Sequence, residues 1–133
     1  MKTYKLNDLN NPLISVLMPA YNAEKYIKEA IESILNQTFS NFEFIIIDDG
    51  SIDATEEIIK SFKDSRIVYI KNEKNLGFIK TLNKGISIAR GEFIARMDSD
   101  DISMPQRFEL QLDVFKKYKG VDIVNVALKK MSE

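Results

Sequence analysis

Short apolar runs alternate along the chain with stretches in which apolar residues recur every three or four positions. The runs predict strands at residues 13–18, 42–47, 66–70, 92–97 and 121–126, the last one preceded by the turn residue Gly120. The helical spacing predicts helices over 23–35, from 53 to about 62, over 78–89 and after Pro105. Regular alternation of strand and helix is typical of a doubly wound, mainly parallel α/β sheet with helices on both faces.

Polar residues beside these segments predict where the helices begin and end. The expected helix-start residues are Asn22 for the first, Asp53 paired with Glu56 for the second, and Ser103 paired with Gln106 for the fourth. Pro105 belongs in the first turn of that fourth helix, and Gly91 is expected to end the third.

The densest charge cluster follows the fourth predicted strand, where Asp98, Asp100 and Asp101 lie within four residues. In an extended chain Asp98 and Asp100 point the same way. Two such carboxylates repel each other and raise each other's pKa unless a cation lies between them or basic groups surround them. Because the chain has no Cys and no His, the ligands of a metal would be oxygens, which favours Mg or Mn, or Ca, over Zn or Cu.

Two other interpretations of this cluster are open. Acidic residues at a strand end often form a solvated turn without a ligand. An EF-hand loop would place Asp98, Asp100 and Glu109 at its first, third and twelfth positions. That loop is disfavoured because Ile102 and Ser103 stand where an oxygen ligand and a glycine are needed.

A second acidic pair, Asp48 and Asp49, follows the second predicted strand. Because the carboxyl ends of parallel strands share one edge, both clusters are expected to open on the same crevice, where such sheets bind nucleotides. The sequence contains neither G-x-G-x-x-G after the first strand nor a Walker lysine loop, so a metal is expected to meet the phosphate charge. The alternative for this pair is a solvated turn with a helix cap.

Composition limits the function classes. With 133 residues, 44% of them hydrophobic, the chain has the length of one domain with a substantial core. The net charge of −1 gives no overall attraction to nucleic acid or anionic lipid. The absence of Cys fits a reducing compartment. We find neither a signal-peptide pattern at the start nor an apolar run long enough to span a membrane. A cytoplasmic location is therefore expected, with peripheral attachment to a membrane as the alternative.

Five motifs in a fixed order give the chain a family resemblance. They lie at residues 14–22, 45–51, 75–77, 89–94 and 97–101. Together they resemble family 2 glycosyltransferases of the GT-A fold, and the resemblance extends from about Pro12 to Val126. It implies transfer of a sugar from a nucleotide diphosphate sugar, with a UDP-sugar favoured, usually with inversion and with Mg or Mn held by a D-x-D sequence.

The resemblance also assigns residues by position. Pro19 and Tyr21 line the nucleobase and ribose, and Asp49 accepts a hydrogen bond from the base. Asp100 binds the metal with Asp98, which also contacts the sugar-nucleotide side. The nucleotide-sugar site implied in this way comprises Pro19, Ala20, Tyr21, Asn22, Asp48, Asp49, Lys80, Asp98 and Ser99.

A cation is also expected near the diphosphate, from Lys74, Lys80 or Arg90. Many relatives carry an arginine where this chain has Leu82 beside Asn83. Lys80 is therefore the candidate for this role.

The resemblance further implies how the chain is organised. The polar residues up to Asn11 predict a polar arm over residues 1–11. The resemblance implies that residues 12–133 are the nucleotide-sugar-binding domain, ending before the half that binds a glycan or lipid-linked acceptor. The catalytic base is then expected beyond Glu133. A non-catalytic nucleotide-sugar-binding module is one alternative. A receiver-like magnesium-binding signalling domain is another, although its acidic pair would follow the first strand, where this chain has Pro19 to Asn22.

Overall fold

A computed structural model describes residues 11–130 of the chain. Apart from Asn11, the predicted polar arm lies outside the described residues. The described part contains four strands and four helices in alternation. In chain order they are β1 (Ile14–Ala20), α1 (Ile27–Leu35), β2 (Phe42–Asp48), α2 (Thr55–Ser61), β3 (Ile67–Lys71), α3 (Phe78–Ile88), β4 (Phe93–Arg96) and α4 (Arg107–Lys117).

The four strands form one parallel sheet in the order β3-β2-β1-β4. Every residue of β2 is buried, and β1 is buried except at Pro19. Continuous apolar burial of this kind arises because helices cover both faces of a parallel sheet. The predicted doubly wound architecture is confirmed.

Alternating side chains of the central strands contribute to two hydrophobic cores, one on each face of the sheet. On one face Val16 and Met18 of β1 join a large cluster that also contains buried residues of α1, α2 and α4. On the other face Leu17, Ile45 and Ile47 pack with α3. Helix α3 lies close because Gly85 has no side chain, and a Cβ there would be 3.0 Å from the Ile47 side chain.

Helices α1, α2 and α4 begin later than predicted, and their flanking residues Tyr26, Ala54 and Gln106 make no side-chain cap hydrogen bond. The predicted caps fail because Asn22 and Ser103 bond elsewhere. The Asn22 side chain accepts a hydrogen bond from the Ile52 amide at 3.0 Å. The Ser103 hydroxyl contacts the sulfur of Met97 at 3.4 Å.

The second predicted cap is correct only in part. Asp53 accepts a hydrogen bond from the amide of Thr55, the first residue of α2, at 2.9 Å, and a second one from the Glu24 amide at 3.2 Å. Its expected partner Glu56 instead pairs with Lys60 and Lys71. The side chain of Glu56 is therefore used to join α2 to β3.

Gly91 does not end α3, which stops at Ile88. Gly91 instead lets the backbone pass close to β1, because a Cβ at Gly91 would lie 2.5 Å from the Ser15 amide nitrogen. This contact lets the chain enter β4 alongside β1.

The predicted strand over residues 121–126 is wrong. Gly120 does form a turn, with φ +84°, but the following residues to 130 have no regular secondary structure. Apolar β-branched residues form a strand only when a neighbouring strand completes the hydrogen-bond ladder, and Ile123 is largely exposed here. A hydrogen bond of 2.9 Å from the Gln111 side-chain amide to the Val124 carbonyl connects this segment to α4.

The described helices are all too short or too polar to cross a lipid bilayer.

Candidate functional site

Strands β1, β2 and β4 end at the same edge of the sheet. Ala20 pairs with Asp48 in register, and the Asp49 amide donates to the Ala20 carbonyl at 2.7 Å. A cavity of about 680 Å³ opens at this carboxyl edge. The residues that line it are Pro19, Ala20, Tyr21, Asn22, Ala23, Tyr26, Asp49, Asn75, Gly77, Phe78, Thr81, Arg96, Asp98, Ser99 and Asp100. We call this space the carboxyl-edge cavity.

Most of the predicted site residues meet in this cavity. Its lining includes Pro19, Ala20, Tyr21, Asn22, Asp49, Asp98, Ser99 and Asp100. Two predicted residues, Asp48 and Lys80, are not part of the lining. The roles assigned to individual residues remain predictions.

Aromatic rings form one side of the cavity. Tyr21, Tyr26 and Phe78 are each about half exposed, and all three line the cavity. An exposed aromatic face offers a flat apolar surface on which a planar ring can stack. The two tyrosines precede α1, and Phe78 is the first residue of α3.

The turn after β1 is held in place by the turn after β2. Asn22 has a left-handed backbone with φ +46°, which asparagine tolerates better than most residues. Its amide donates to the Ser51 hydroxyl at 3.0 Å, and its side-chain oxygen accepts from the Ile52 amide at 3.0 Å. These two bonds fix the turn that carries Tyr21.

Asp49 is buried at 4% exposure at the base of the cavity. One carboxylate oxygen accepts hydrogen bonds from the Asn72 side chain at 2.8 Å and the Leu76 amide at 2.9 Å, and the other accepts from the Gly77 amide at 3.0 Å. Burial opposes ionisation, but these hydrogen bonds outweigh it and hold the pKa of Asp49 below its ordinary value. Asp49 is therefore a carboxylate at neutral pH.

Asp48 lies beneath the site and is fully buried. Its two oxygens accept hydrogen bonds from the Ser51 amide at 2.8 Å and the Tyr69 hydroxyl at 3.3 Å. Both bonds hold the turn that begins at Asp48. The described contacts of Asp48 thus stabilise the structure beneath the cavity, and its direct contact with the nucleotide remains a prediction.

The acidic cluster continues directly from β4. The Met97 amide donates to the Leu17 carbonyl at 2.9 Å, so pairing with β1 extends one residue beyond the strand. Asp98 and Asp100 then line the cavity. Burial and the negative charges of these two residues raise the pKa of Asp101 above its ordinary value.

The two cavity carboxylates fit a hard divalent cation. The described residues contain no group of three or more acidic side chains arranged as a complete metal site. Mg²⁺ in nucleotide sites, however, is commonly held by one or two carboxylates together with substrate phosphates. Asp98 and Asp100 supply that number of oxygen ligands on one wall of the cavity.

Arg107 makes hydrogen bonds to residues on both sides of the acidic cluster. Its guanidinium donates to the Arg96 carbonyl at 2.9 Å and to the Ser103 hydroxyl at 2.9 Å. These bonds connect the start of α4 to the last residue of β4. The end of the strand is thereby fixed in position.

The basic residue in the cavity is not the one predicted. Lys80 is exposed outside the lining, and Arg90 pairs with Glu43 at 2.8 Å. Among the described lining residues, Arg96 is the only basic one. It could have been found from the alternation of an extended chain, which places Arg96 on the same face as Asp98 and Asp100. The other lining residues missed from the sequence are Ala23, Tyr26, Asn75, Gly77, Phe78 and Thr81.

Comparison with known proteins adds independent information. The family model described as glycosyl transferase family 2 matches residues 15–133. An uncharacterized glycosyltransferase of Methanocaldococcus jannaschii is 46% identical over 123 residues, which cover 90% of this chain and 42% of the relative. The Escherichia coli protein WfgD, named as a UDP-Glc:alpha-D-GlcNAc-diphosphoundecaprenol beta-1,3-glucosyltransferase, is 37% identical over 123 residues, 88% of this chain and 49% of WfgD.

Solved structures are similar as well. The S. aureus protein TarS, residues 1–349 in complex with UDP-GlcNAc, has a TM-score of 0.75 and 30% sequence identity, covering 86% of this chain and 37% of that one. The same fragment in complex with UDP gives a TM-score of 0.74. The GT-A fold implied by the resemblance is confirmed. The chain spans less than half the length of each of these curated relatives and structures.

Proposed function

The chain belongs to glycosyl transferase family 2, and from this membership we propose that it binds the sugar-nucleotide donor of a glycosyltransferase. The favoured donor is a UDP-sugar, and the favoured metal is Mg²⁺ or Mn²⁺. The observation that carries the proposal is one cavity of about 680 Å³ that combines exposed tyrosines, the buried Asp49 and the acidic pair of Asp98 and Asp100. The TarS complexes with UDP and UDP-GlcNAc support the choice of nucleotide.

The nucleobase end of the donor fits between Tyr21 and Asp49. A carboxylate offers about four lone-pair positions, and Asp49 uses three of them for the Asn72, Leu76 and Gly77 hydrogen bonds. The Thr81 hydroxyl also contacts this carboxylate. A nucleobase N–H would compete with that hydroxyl for the remaining position while an aromatic ring stacks on the base.

The diphosphate end fits beside Asp98 and Asp100. Both are acidic, so they would repel a diphosphate unless a cation is bound between them and the phosphates. A divalent ion held there supplies positive charge that stabilises the leaving diphosphate. Asp98 and Asp100 are the residues that would hold that ion.

We further propose that the complete reaction inverts the anomeric carbon and uses a glycan or a lipid-linked glycan as acceptor. An inverting transfer needs a base to deprotonate the acceptor hydroxyl. The described carboxylates of the cavity already have other roles, since Asp49 supports a loop and Asp98 and Asp100 face the donor phosphates.

The lack of Cys in the sequence supports the cytoplasm as the location.

The proposal is tested by calorimetric titration of UDP into the chain with Mn²⁺ and with EDTA. We expect binding with Mn²⁺ and none in EDTA, because the acidic pair repels the diphosphate when no metal is present. Asp100→Asn is expected to remove most of the metal dependence. Asp113→Asn, an exposed carboxylate change on α4, is the matched control and should bind like the unchanged chain. Equal UDP affinity in EDTA and in Mn²⁺ would contradict the proposal.

A further inference from the structure

Arg96 is the charged residue of the cavity to which the donor-binding proposal assigns no role. Its side chain is 56% exposed, and it pairs with Asp98 across 3.1 Å. Further contacts of 3.3 Å reach both oxygens of the same carboxylate. In this arrangement Arg96 covers the oxygens that face a metal ion in the proposed complex.

The backbone of Arg96 is fixed, but its side chain is not. The Arg96 carbonyl accepts the Arg107 hydrogen bond at 2.9 Å, and the next amide, that of Met97, pairs with β1. The guanidinium itself makes its described polar contacts only with Asp98. An exposed ion pair of this kind is weak, at about 0–1 kcal/mol. The side chain can therefore turn about a fixed Cα.

Phe78 provides a surface along which the guanidinium can turn. The Arg96 guanidinium carbon lies 4.9 Å from the centroid of the Phe78 ring, within the range of a cation–π contact. Phe78 lines the same cavity. A cation–π attraction acts across the whole ring face and does not fix the guanidinium at one position. Arg96 can therefore change its anionic partner while it stays in contact with Phe78.

The charges in the cavity require such a change. Asp98 cannot use the same oxygens for Arg96 and for a divalent ion at full strength, since both compete for the same lone pairs. Once a metal holds Asp98, the guanidinium has lost its partner while a diphosphate brings new negative charge to the same wall. Arginine binds phosphate oxygens through two parallel N–H donors, which suits it to this second partner.

We propose that Arg96 is an exchangeable counter-charge for the cavity. Without metal it pairs with Asp98, and with metal bound it releases Asp98 and binds the diphosphate of the donor. The second half of this proposal rests on the proposed function, whereas the first half concerns the metal and Asp98 alone.

Two binding measurements on Arg96→Met test the proposal. Mn²⁺ is titrated alone and followed by electron paramagnetic resonance, and UDP is titrated by calorimetry at saturating Mn²⁺. Losing the competing cation should tighten Mn²⁺ binding about two- to fivefold, the size of an exposed ion pair. Losing the charged phosphate partner should weaken UDP binding by about tenfold or more. Arg96→Lys keeps the charge but not the planar fork, so its effects should be smaller in both titrations.

The matched control is Lys28→Met, which removes one positive charge from a side chain 69% exposed on α1. It should leave both affinities unchanged, and thermal melts confirm that each variant is folded. Tighter Mn²⁺ binding together with weaker UDP binding supports the proposal. Any other combination, including weakening of both or no change in either, overturns it. If the unchanged chain binds no UDP, the proposed function fails together with the diphosphate half, whereas UDP binding that Arg96→Met leaves intact overturns this inference alone.

Discussion

The two edges of the sheet carry cavities of nearly equal size but of different chemistry. The carboxyl-edge cavity measures about 680 Å³ and the one at the amino ends of the strands about 670 Å³. Each contains an arginine that pairs with an aspartate two residues away and lies over a phenylalanine ring. The amino-edge cluster consists of Asp64, Arg66 and Phe42, and the carboxyl-edge cluster consists of Asp98, Arg96 and Phe78.

The clusters differ in how fully their charges are satisfied. Arg66 is 17% exposed and donates to both oxygens of Asp64, at 3.0 and 2.8 Å, and to the Leu35 carbonyl at 3.2 Å. Asp64 also accepts the Arg66 amide at 2.9 Å. Arg96 is 56% exposed and makes its described side-chain hydrogen bonds to Asp98 alone. The same residue types therefore form a partly buried, multiply hydrogen-bonded pair at the amino edge and an exposed pair with fewer hydrogen-bond partners at the carboxyl edge.

The largest expected difference between the edges concerns nucleotide affinity. Asp49→Ala should weaken UDP binding about ten- to hundredfold, because it removes a charged hydrogen-bond partner worth roughly 1.5–3 kcal/mol. Asp64→Ala at the amino edge should leave UDP affinity unchanged. Calorimetry at saturating Mn²⁺ measures both. A lower melting temperature of Asp49→Ala with unchanged UDP affinity would assign Asp49 solely to holding the Leu76–Gly77 loop.

The next difference concerns stability and has the opposite direction. Arg66→Met should lower the free energy of unfolding by about 1–2 kcal/mol, because Asp64 and the Leu35 carbonyl lose the hydrogen bonds that the Arg66 side chain donates. Arg96→Met should lower it by less than about 1 kcal/mol, as is usual for exposed ion pairs. Urea unfolding of the two variants measures this difference. Equal losses would show that the two clusters do not differ in the way described.

The smallest expected effect is a dependence of the Arg66 contribution on pH. Hydrogen bonds from Arg66 hold the pKa of Asp64 below its ordinary value of 3.8, against the effect of burial. A lowered pKa contributes stability that is fully present above the ordinary value and is lost as the pH falls through the lower folded-state pKa. The stability gap between the unchanged chain and Arg66→Met should therefore be constant near neutrality and shrink below pH 3.8. A gap that widens on acidification would contradict this.

The central elements could be predicted from the sequence because burial on both faces leaves a strong pattern. The apolar runs that became β1 and β2 were placed to within two residues. Helix starts are predicted less well, since the Asn22 and Ser103 side chains bond to Ile52 and Met97 and not to backbone amides of the helices that follow them. Local capping rules assume that a polar side chain serves its own helix. The expected strand after Gly120 fails for a similar reason, because propensity cannot supply a neighbouring strand.

The position of the site at the carboxyl edge of the sheet could be predicted more reliably than the contacts of its individual residues. Parallel strands bring their carboxyl ends together, so Asp49 and Asp98 were expected at one edge, and both line the cavity there. Adjacent positions could not be told apart in the same way. Asp48 and Asp49 have the same side chain, but one lies under the turn and the other in the cavity. That distinction depends on the Ser51 and Tyr69 contacts, which only the folded chain reveals.

The strand order also has a consequence for the order in which the chain assembles. The pairing of Phe44 with Ile67 closes a segment in which α2 is the only helix, whereas the pairing of Ile14 with Phe93 closes a segment that contains most of the described chain. Closing the longer loop costs more entropy, and β4 offers only four residues in return. We expect β4 to join the sheet late and to open first, so its amides should exchange with deuterium faster than those of β1. The acidic cluster directly follows this edge strand, so a bound metal and nucleotide should slow the exchange of the β4 amides.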